Sequence, residues 1–286
     1  MAQGTNLTIS DLPFSDVGIK TFGRIGRLSG NTSVNSINIH YSIESQDCYR
    51  FVGKPIVFSF YYRTGANFSG TAISSSVYTG TAIDQSLTTG VTGIVTTAGA
   101  NCNPNTSWQK ISYTGLIGTN INQIHVEFYY IPTGTAAGAD HFDITGVQLE
   151  LGSVATPFEV RPYSVELQMC MRYYYRISSS TNTYTGYSIG VCGGGAGVLY
   201  VITYPVVMRI AATNASQFST SPIGTFSFNT GATGLVNVAS FILVTDGCSI
   251  YNGVFIVNGT GTATAGLSVQ LRSSSSGGYI AFDAEM

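Results

Sequence analysis

The chain has 286 residues, a net charge of −2, and only 9% charged side chains against 44% apolar ones, where an ordinary soluble domain carries about 25% charged residues. Glycine, serine and threonine fill 99 positions and supply the polarity that charges usually give, while 18 tyrosines and 15 phenylalanines argue against disorder and for one large core or two modest ones. Twelve scattered cations, only three of them lysine (Lys20, Lys54 and Lys110), form no basic stripe, which excludes nucleic acid as a partner.

Membrane insertion is excluded on similar grounds. The most apolar stretch, residues 196–208, is broken by Thr203 and Pro205 and falls short of the ~18–20 residues of a helical span. Residues 1–14 show neither a basic nor an apolar leader region, so no secretory signal is expected. The cysteines Cys48, Cys102, Cys170, Cys192 and Cys248 are odd in number and far apart, which argues against a disulfide framework or a metal knuckle and for folding in a reducing compartment.

In chain order, the first clear element is the alternation of Ile37, Ile39 and Tyr41 with Asn38, His40 and Ser42, which predicts a half-buried strand. Ile56, Phe58, Phe60 and Tyr62 alternate with Val57, Ser59, Tyr61 and Arg63 in the same way. Residues 64–107 are a Thr, Gly, Ser and Asn mixture whose register the sequence does not give. Ile124, Val126, Phe128 and Tyr130 then define a core face opposite Gln123, His125, Glu127 and Tyr129. Residues 164–176, SVELQMCMRYYYR, predict the one helix, with Ser164 as N-cap, Glu166 in the first turn, and Arg172 and Arg176 at its end. Leu167, Met169, Met171 and Tyr174 suit either a plug at the base of a sandwich or a meeting point for several chains.

Residues 177–286 hold five charges in 110 positions, Arg209, Arg272, Asp246, Asp283 and Glu285, a poverty that points to surface hidden in an oligomer. The dipeptides Asp246-Gly247, Asn252-Gly253 and Asn258-Gly259 predict turns of a tight meander, and residues 193–197 a flexible Gly-rich loop. These patterns predict an all-β chain: a jelly-roll sandwich over 1–160, a linking helix over 161–176 and a smaller β domain over 177–286.

The run FDITGVQLELGSVATPFEVRPYSVELQMCMRYYYR, residues 142–176, resembles a segment of phage and prophage tail-fibre and virion appendage proteins, in which a strand reading VQLE-G is followed by ATPFE-R and a short helix ending in C-RYY. Residues 42–63 and the strand opened by Trp108, Gln109 and Lys110 resemble the carbohydrate-binding-module-like sandwich of that family. Residues 204–216 and the closing AFDAEM resemble its C-terminal domain. The resemblance implies a non-enzymatic, homotrimeric virion protein that contacts other virion proteins on the particle surface and recognises a bacterial surface polysaccharide. The alternatives are a capsid cement protein that bridges capsid subunits and, on weaker grounds, a polysaccharide-degrading tailspike.

Motifs for catalysis are absent: there is no G-x-S-x-G, H-E-x-x-H or P-loop, and no catalytic residue or cofactor is assigned. Glu127, Asp140, Asp143 and Glu150 cluster in sequence and leave a glycosidase carboxylate pair open. Asp143 is a weak candidate for a structural Ca²⁺, against a plainly structural role. For glycan binding, the expectation is that the strands bearing His40, Tyr61, Arg63, His125, Glu127 and Tyr129 share one sheet, so that aromatic rings cover a pyranose C–H face and charged groups meet its hydroxyls. The plain alternative is that these are solvated or subunit-covered outer residues of β strands. Trp108, the only tryptophan, is expected in the core, against the facing sheet.

Overall fold

The computed structural model describes residues 2–3, 19–179, 186–192, 195–229, 235–263, 265–266, 268–273 and 277–284. The Gly-rich stretch at 193–197 and the AFDAEM terminus fall partly outside these residues, as does most of the segment before residue 19. The chain divides into two units, Met1–Val160 and Arg161–Glu285.

In the first unit, β1 (Ala2–Gln3), β2 (Gly23–Gly26), β3 (Ile37–Ile43), β4 (Pro55–Thr64), β5 (Ile73–Gly80), β6 (Val95–Cys102), β7 (Gln109–Leu116), β8 (Gln123–Tyr130) and β9 (His141–Leu151) form two antiparallel sheets. One has the order β1-β2-β9-β4-β7 and the other β3-β8-β5-β6. Strands near in sequence alternate between the sheets, which is the jelly-roll pattern. Among the described residues they are interrupted by one α-helical turn, α1 (Ser45–Cys48), continued by a 3-10 turn at Tyr49–Phe51.

The core is the sum of the inward faces. Phe58, Phe60 and Tyr62 of β4 and Phe142 and Ile144 of β9 meet Ile124, Val126, Phe128 and Tyr130 of β8 and Val77 of β5. Phe60 and Phe128 interlock edge-to-face with centroids 4.8 Å apart, as do Tyr130 and Phe142 at 5.8 Å, a geometry favoured by the ring quadrupoles. Cys48 and Cys102 sit in this core as free thiols, and burial pushes them up to about 11 and about 12. A bulge on β9 opposite Phe60 turns on Gly146, whose φ of +57° and close approach to Ile19 and Tyr61 leave no room for a side chain.

One end of the sandwich is stapled by a buried ion pair. Arg27 contacts Asp140 at 2.7 Å, and its guanidinium also donates to the carbonyls of Asn31, Ser33, Thr133 and Gly134 and to Ser69 Oγ. Asp140 in turn accepts from Ser69 N and Oγ. Three loops are tied by one charge pair whose hydrogen-bonding capacity is filled, the condition under which a buried pair is tolerated.

The second unit holds α2 (Tyr163–Met171) and the strands β10 (Tyr174–Ser178), β11 (Gly186–Cys192), β12 (Gly195–Thr203), β13 (Phe218–Thr220), β14 (Phe226–Asn229), β15 (Leu235–Leu243), β16 (Asn252–Ala263), β17 (Ser268–Ser273) and β18 (Tyr279–Asp283). Strands β11-β12-β16-β15-β14-β17 close a barrel, and β10-β18-β13 form a small sheet. Phe218, Phe226, Phe241, Phe255 and Phe282 pack as one aromatic cluster within this unit.

Three local expectations are corrected here. The helix stops at Met171, and Pro162, not Ser164, stands at its N-cap. Tyr174–Ser178 leaves the helix for a strand paired with β18 because Tyr175 and Ile177 are drawn into the barrel-side core, a tertiary override of local signals. No α2 residue is buried. Asn252-Gly253 and Asn258-Gly259 are not turns; both lie inside β16. Gly253 is there for space: a Cβ would come within 2.2 Å of Phe282 Cε1. Only Thr245–Gly247 makes the expected tight turn.

Candidate functional site

The outward face of the four-stranded sheet is a polar strip. Register aligns Asn38, Tyr129, Ser74 and Asn101 in one cross-strand row and His40, Glu127, Ser76 and Gly99 in the next. With three gaps of about 4.8 Å between strands, the strip is on the order of 15 Å wide. Glu127 lies at its centre, where Oε1 accepts from Asn38 Nδ2 at 2.9 Å and Oε2 from the Tyr78 hydroxyl at 3.1 Å. Its carboxylate is thus oriented by two neutral donors and, among the described residues, paired with no cation. Tyr78 and Tyr129 flank it half-buried, and Ser74 bonds Asn101 at the edge. Aliphatic side chains are absent from both rows.

At one end the strip is closed by residues 81–94. This loop is held by paired bonds between Ser45 and Asp84 and between Gln85 and Gln123. Thr88 Oγ1 reaches His40 Nε2 at 3.2 Å, and Val91 lies against Gly80 beside His125. His125 is fully buried there, its Nδ1 2.8 Å from Ser42 Oγ and its Nε2 without a partner among the described residues. Burial, reinforced by His40, pushes its pKa down to about 4, so it is neutral at pH 7.

The opposite outward face, on the five-stranded sheet, is covered. Ile19, Phe22, Tyr61 and Trp108 form a separate buried cluster, with Phe158 packed against it. Beside it Asp143, with no exposed side-chain surface, is gripped by Arg24 and Arg63.

Of the six residues expected on one sheet, His40, Glu127 and Tyr129 do share the open strip. His125 is on the same side but sealed under the loop. Tyr61 and Arg63 are on β4, which belongs to the other sheet, and Tyr61 is wholly buried. Jelly-roll winding sends β3 and β4 to opposite sheets, so their outward residues face away from each other. Asp143 does not suit Ca²⁺, because two guanidiniums occupy both of its oxygens. Trp108 is buried on the outside of the five-stranded sheet and not between the sheets. The four carboxylates are also dispersed: Glu127 is on the open strip, Asp140 bonds Arg27, Asp143 bonds two arginines, and Glu150 is held by Thr156. Asn38, Ser74, Ser76, Tyr78 and Asn101 complete the strip. Four of these lie on the two strands of the 64–107 region, where serine-rich alternation was the only available signal.

No family model matches the chain, and no curated protein matches it. Among solved structures, it is similar to one described as CBM4 structure and function, with 11% identity over 46% of this chain and 71% of that chain, at a TM-score of 0.30. It is also similar to the CBM22-1–GH10 modules of Clostridium thermocellum endo-1,4-β-D-xylanase 10B complexed with xylohexaose, with 9% identity over 56% of this chain and 26% of that one, at 0.31. A third is the CBM22-1–CBM22-2 tandem domain of Paenibacillus barcinonensis Xyn10C, with 9% identity over 92% and 85% of the two chains, at 0.29. At these TM-scores the likenesses add nothing to the sandwich assignment, which rests on the strand pairing described above.

Proposed function

We propose that the first unit binds a glycan on the open strip of the four-stranded sheet, without catalysis, and that the chain is a bacteriophage tail- or head-fibre protein that uses this face to attach to a bacterial surface polysaccharide. The observation that carries the reading is Glu127, a carboxylate with no cation partner among the described residues, oriented by Asn38 and Tyr78 between two half-buried tyrosines. A fixed acceptor suits sugar hydroxyls, and the adjacent rings suit the C–H face of a pyranose. The virion setting is supported by the resemblance of residues 142–176, and several copies, as in a trimer, would raise a weak single-site affinity through avidity.

A second reading, a capsid cement protein, is favoured by one observation on the barrel. Val191, Leu199, Ile256 and Ile242 align across β11, β12, β16 and β15 as an outward apolar row, with Val191, Leu199 and Ile242 exposed; such a row suits coverage by another protein. Fluorescently labelled protein incubated with host cells, with light scattering for oligomeric state, separates the two. Saturable binding competed by surface polysaccharide and weakened by Tyr129→Ala supports the fibre. An oligomer that ignores cells but binds stripped capsids overturns it.

A further inference from the structure

A second anchoring point is built into the opposite sheet. Arg24 on β2, Asp143 on β9 and Arg63 on β4 form one cross-strand row. Arg24 satisfies both carboxylate oxygens, Nε to Oδ1 at 2.7 Å and Nη2 to Oδ2 at 3.0 Å. Arg63 adds only Nε to Oδ2 at 2.8 Å. One buried carboxylate therefore holds two guanidiniums, and a positive charge is left over in a chain that is otherwise poor in charge. The Arg63 Nη groups donate to no protein acceptor among the described residues, and its side chain is 29% exposed. Arg27 shows what a structural arginine looks like in this fold: its side chain is 1% exposed, and both of its Nη groups donate to protein acceptors. Arg63 is instead oriented and left open. Its guanidinium lies 5.1 Å from the Phe22 ring centroid and 4.7 Å from that of Trp108, which fixes its plane.

A pocket of about 360 Å³ is walled by the residues that follow Arg63 in the chain (Thr64, Gly65, Ala66, Phe68) and by Pro104, Asn105 and Thr106 shortly before Trp108, while Arg63 itself stands outside its lining. The Gly65 wall abuts the ring of His141, which lies 3.9 Å from Asp143. The lining is neutral and mixes apolar surface with amide and hydroxyl groups, which matches a sugar ring better than an acidic peptide.

We propose that Arg63, supported by Arg24, binds the carboxylate of an acidic sugar seated in this pocket, a uronic acid unit of a polysaccharide. The planar Nη edge matches a carboxylate in bidentate fashion. The site is independent of the open strip and shares with the proposed function only the class of ligand.

Trp108 is the only tryptophan in the chain and is in contact with Arg63, so its fluorescence reports the site directly. The test is titration of the full chain with polygalacturonate, with its neutral methyl ester and with polyglutamate. Polygalacturonate is expected to change Trp108 emission saturably, with affinity at least about ten-fold above the ester and falling with salt. Arg63→Gln, which leaves Asp143 paired with Arg24, is expected to remove that advantage with the unfolding midpoint retained. Arg63→Lys is expected to keep only part of it, since an ammonium lacks the fork. Glu127→Gln is expected to leave the Trp108 titration unchanged, so failure at the open strip and failure here read separately. No response to polygalacturonate, equal response to acid and ester, or undiminished binding by folded Arg63→Gln overturns the proposal. Tighter binding of polyglutamate overturns the saccharide assignment in favour of an acidic protein surface.

Discussion

On the five-stranded sheet of the sandwich, Tyr61 and Trp108 lie beneath Ile19, Phe22 and Phe158; on the four-stranded sheet, Glu127 and Tyr129 hold the corresponding outward positions and remain accessible. Both sheets present the same inward aliphatic and aromatic faces, so inward alternation does not explain the difference. What differs is the chain that crosses over each sheet: apolar residues before β2 and after β9 cover one, while the 81–94 loop closes only an end of the other. Access, and with it the candidate site, is therefore decided by segments outside the strands.

The comparison can be broken most severely at Trp108. Trp108→Ala removes the largest ring of the covered face and is expected to cost about 3–5 kcal/mol in chemical denaturation; a loss below about 1 kcal/mol would mean that the cover is not packed. The sealed end of the open strip comes next. His125 carries a pKa of about 4 in the folded chain against about 6.5 unfolded, so the unfolded state takes up the proton first. Its contribution is complete above about pH 6.5 and lost as pH falls toward 4, on the order of 2–3 kcal/mol. His125→Gln should flatten the stability curve across that window, and an unchanged slope would show that the imidazole is not buried.

Asp143→Asn is expected to cost about 1–2 kcal/mol, held down because Arg24 and Arg63 are 40% and 29% exposed and can turn to water. Thermal unfolding would measure it. The smallest effect belongs to the open strip: Tyr129→Ala should change stability by no more than about 0.5 kcal/mol while weakening glycan binding about ten-fold. A large stability loss there would mark Tyr129 as structural and erase the contrast between the faces.

Much of this fold is legible in the residues. The alternation of Phe58, Phe60 and Tyr62, and of Ile124, Val126, Phe128 and Tyr130, names inward faces that do meet in the core. Alternation does not say which sheet a strand joins, because β4 pairs with β9 about 80 residues downstream and not with β3 nearby; hence the mistaken grouping of Tyr61 and Arg63 with His40. Nor does it distinguish an outward residue in water from one under a cover, which is why Tyr61 and His125 read as exposed. The Ser74, Ser76 and Tyr78 side of the strip stayed hidden because serines on both faces of β5 weaken the two-residue period. Ser75 in fact points inward to the Tyr113 hydroxyl.

The central claim is that the open strip is where sugar binds, and backbone NMR shift mapping with fragments of host surface polysaccharide tests it most directly. The account predicts saturable perturbations at Asn38, His40, Ser74, Ser76, Glu127 and Tyr129, abolished by Glu127→Gln. Perturbations that avoid β3, β5 and β8, or none at fragment concentrations that saturate host-cell competition, would contradict it.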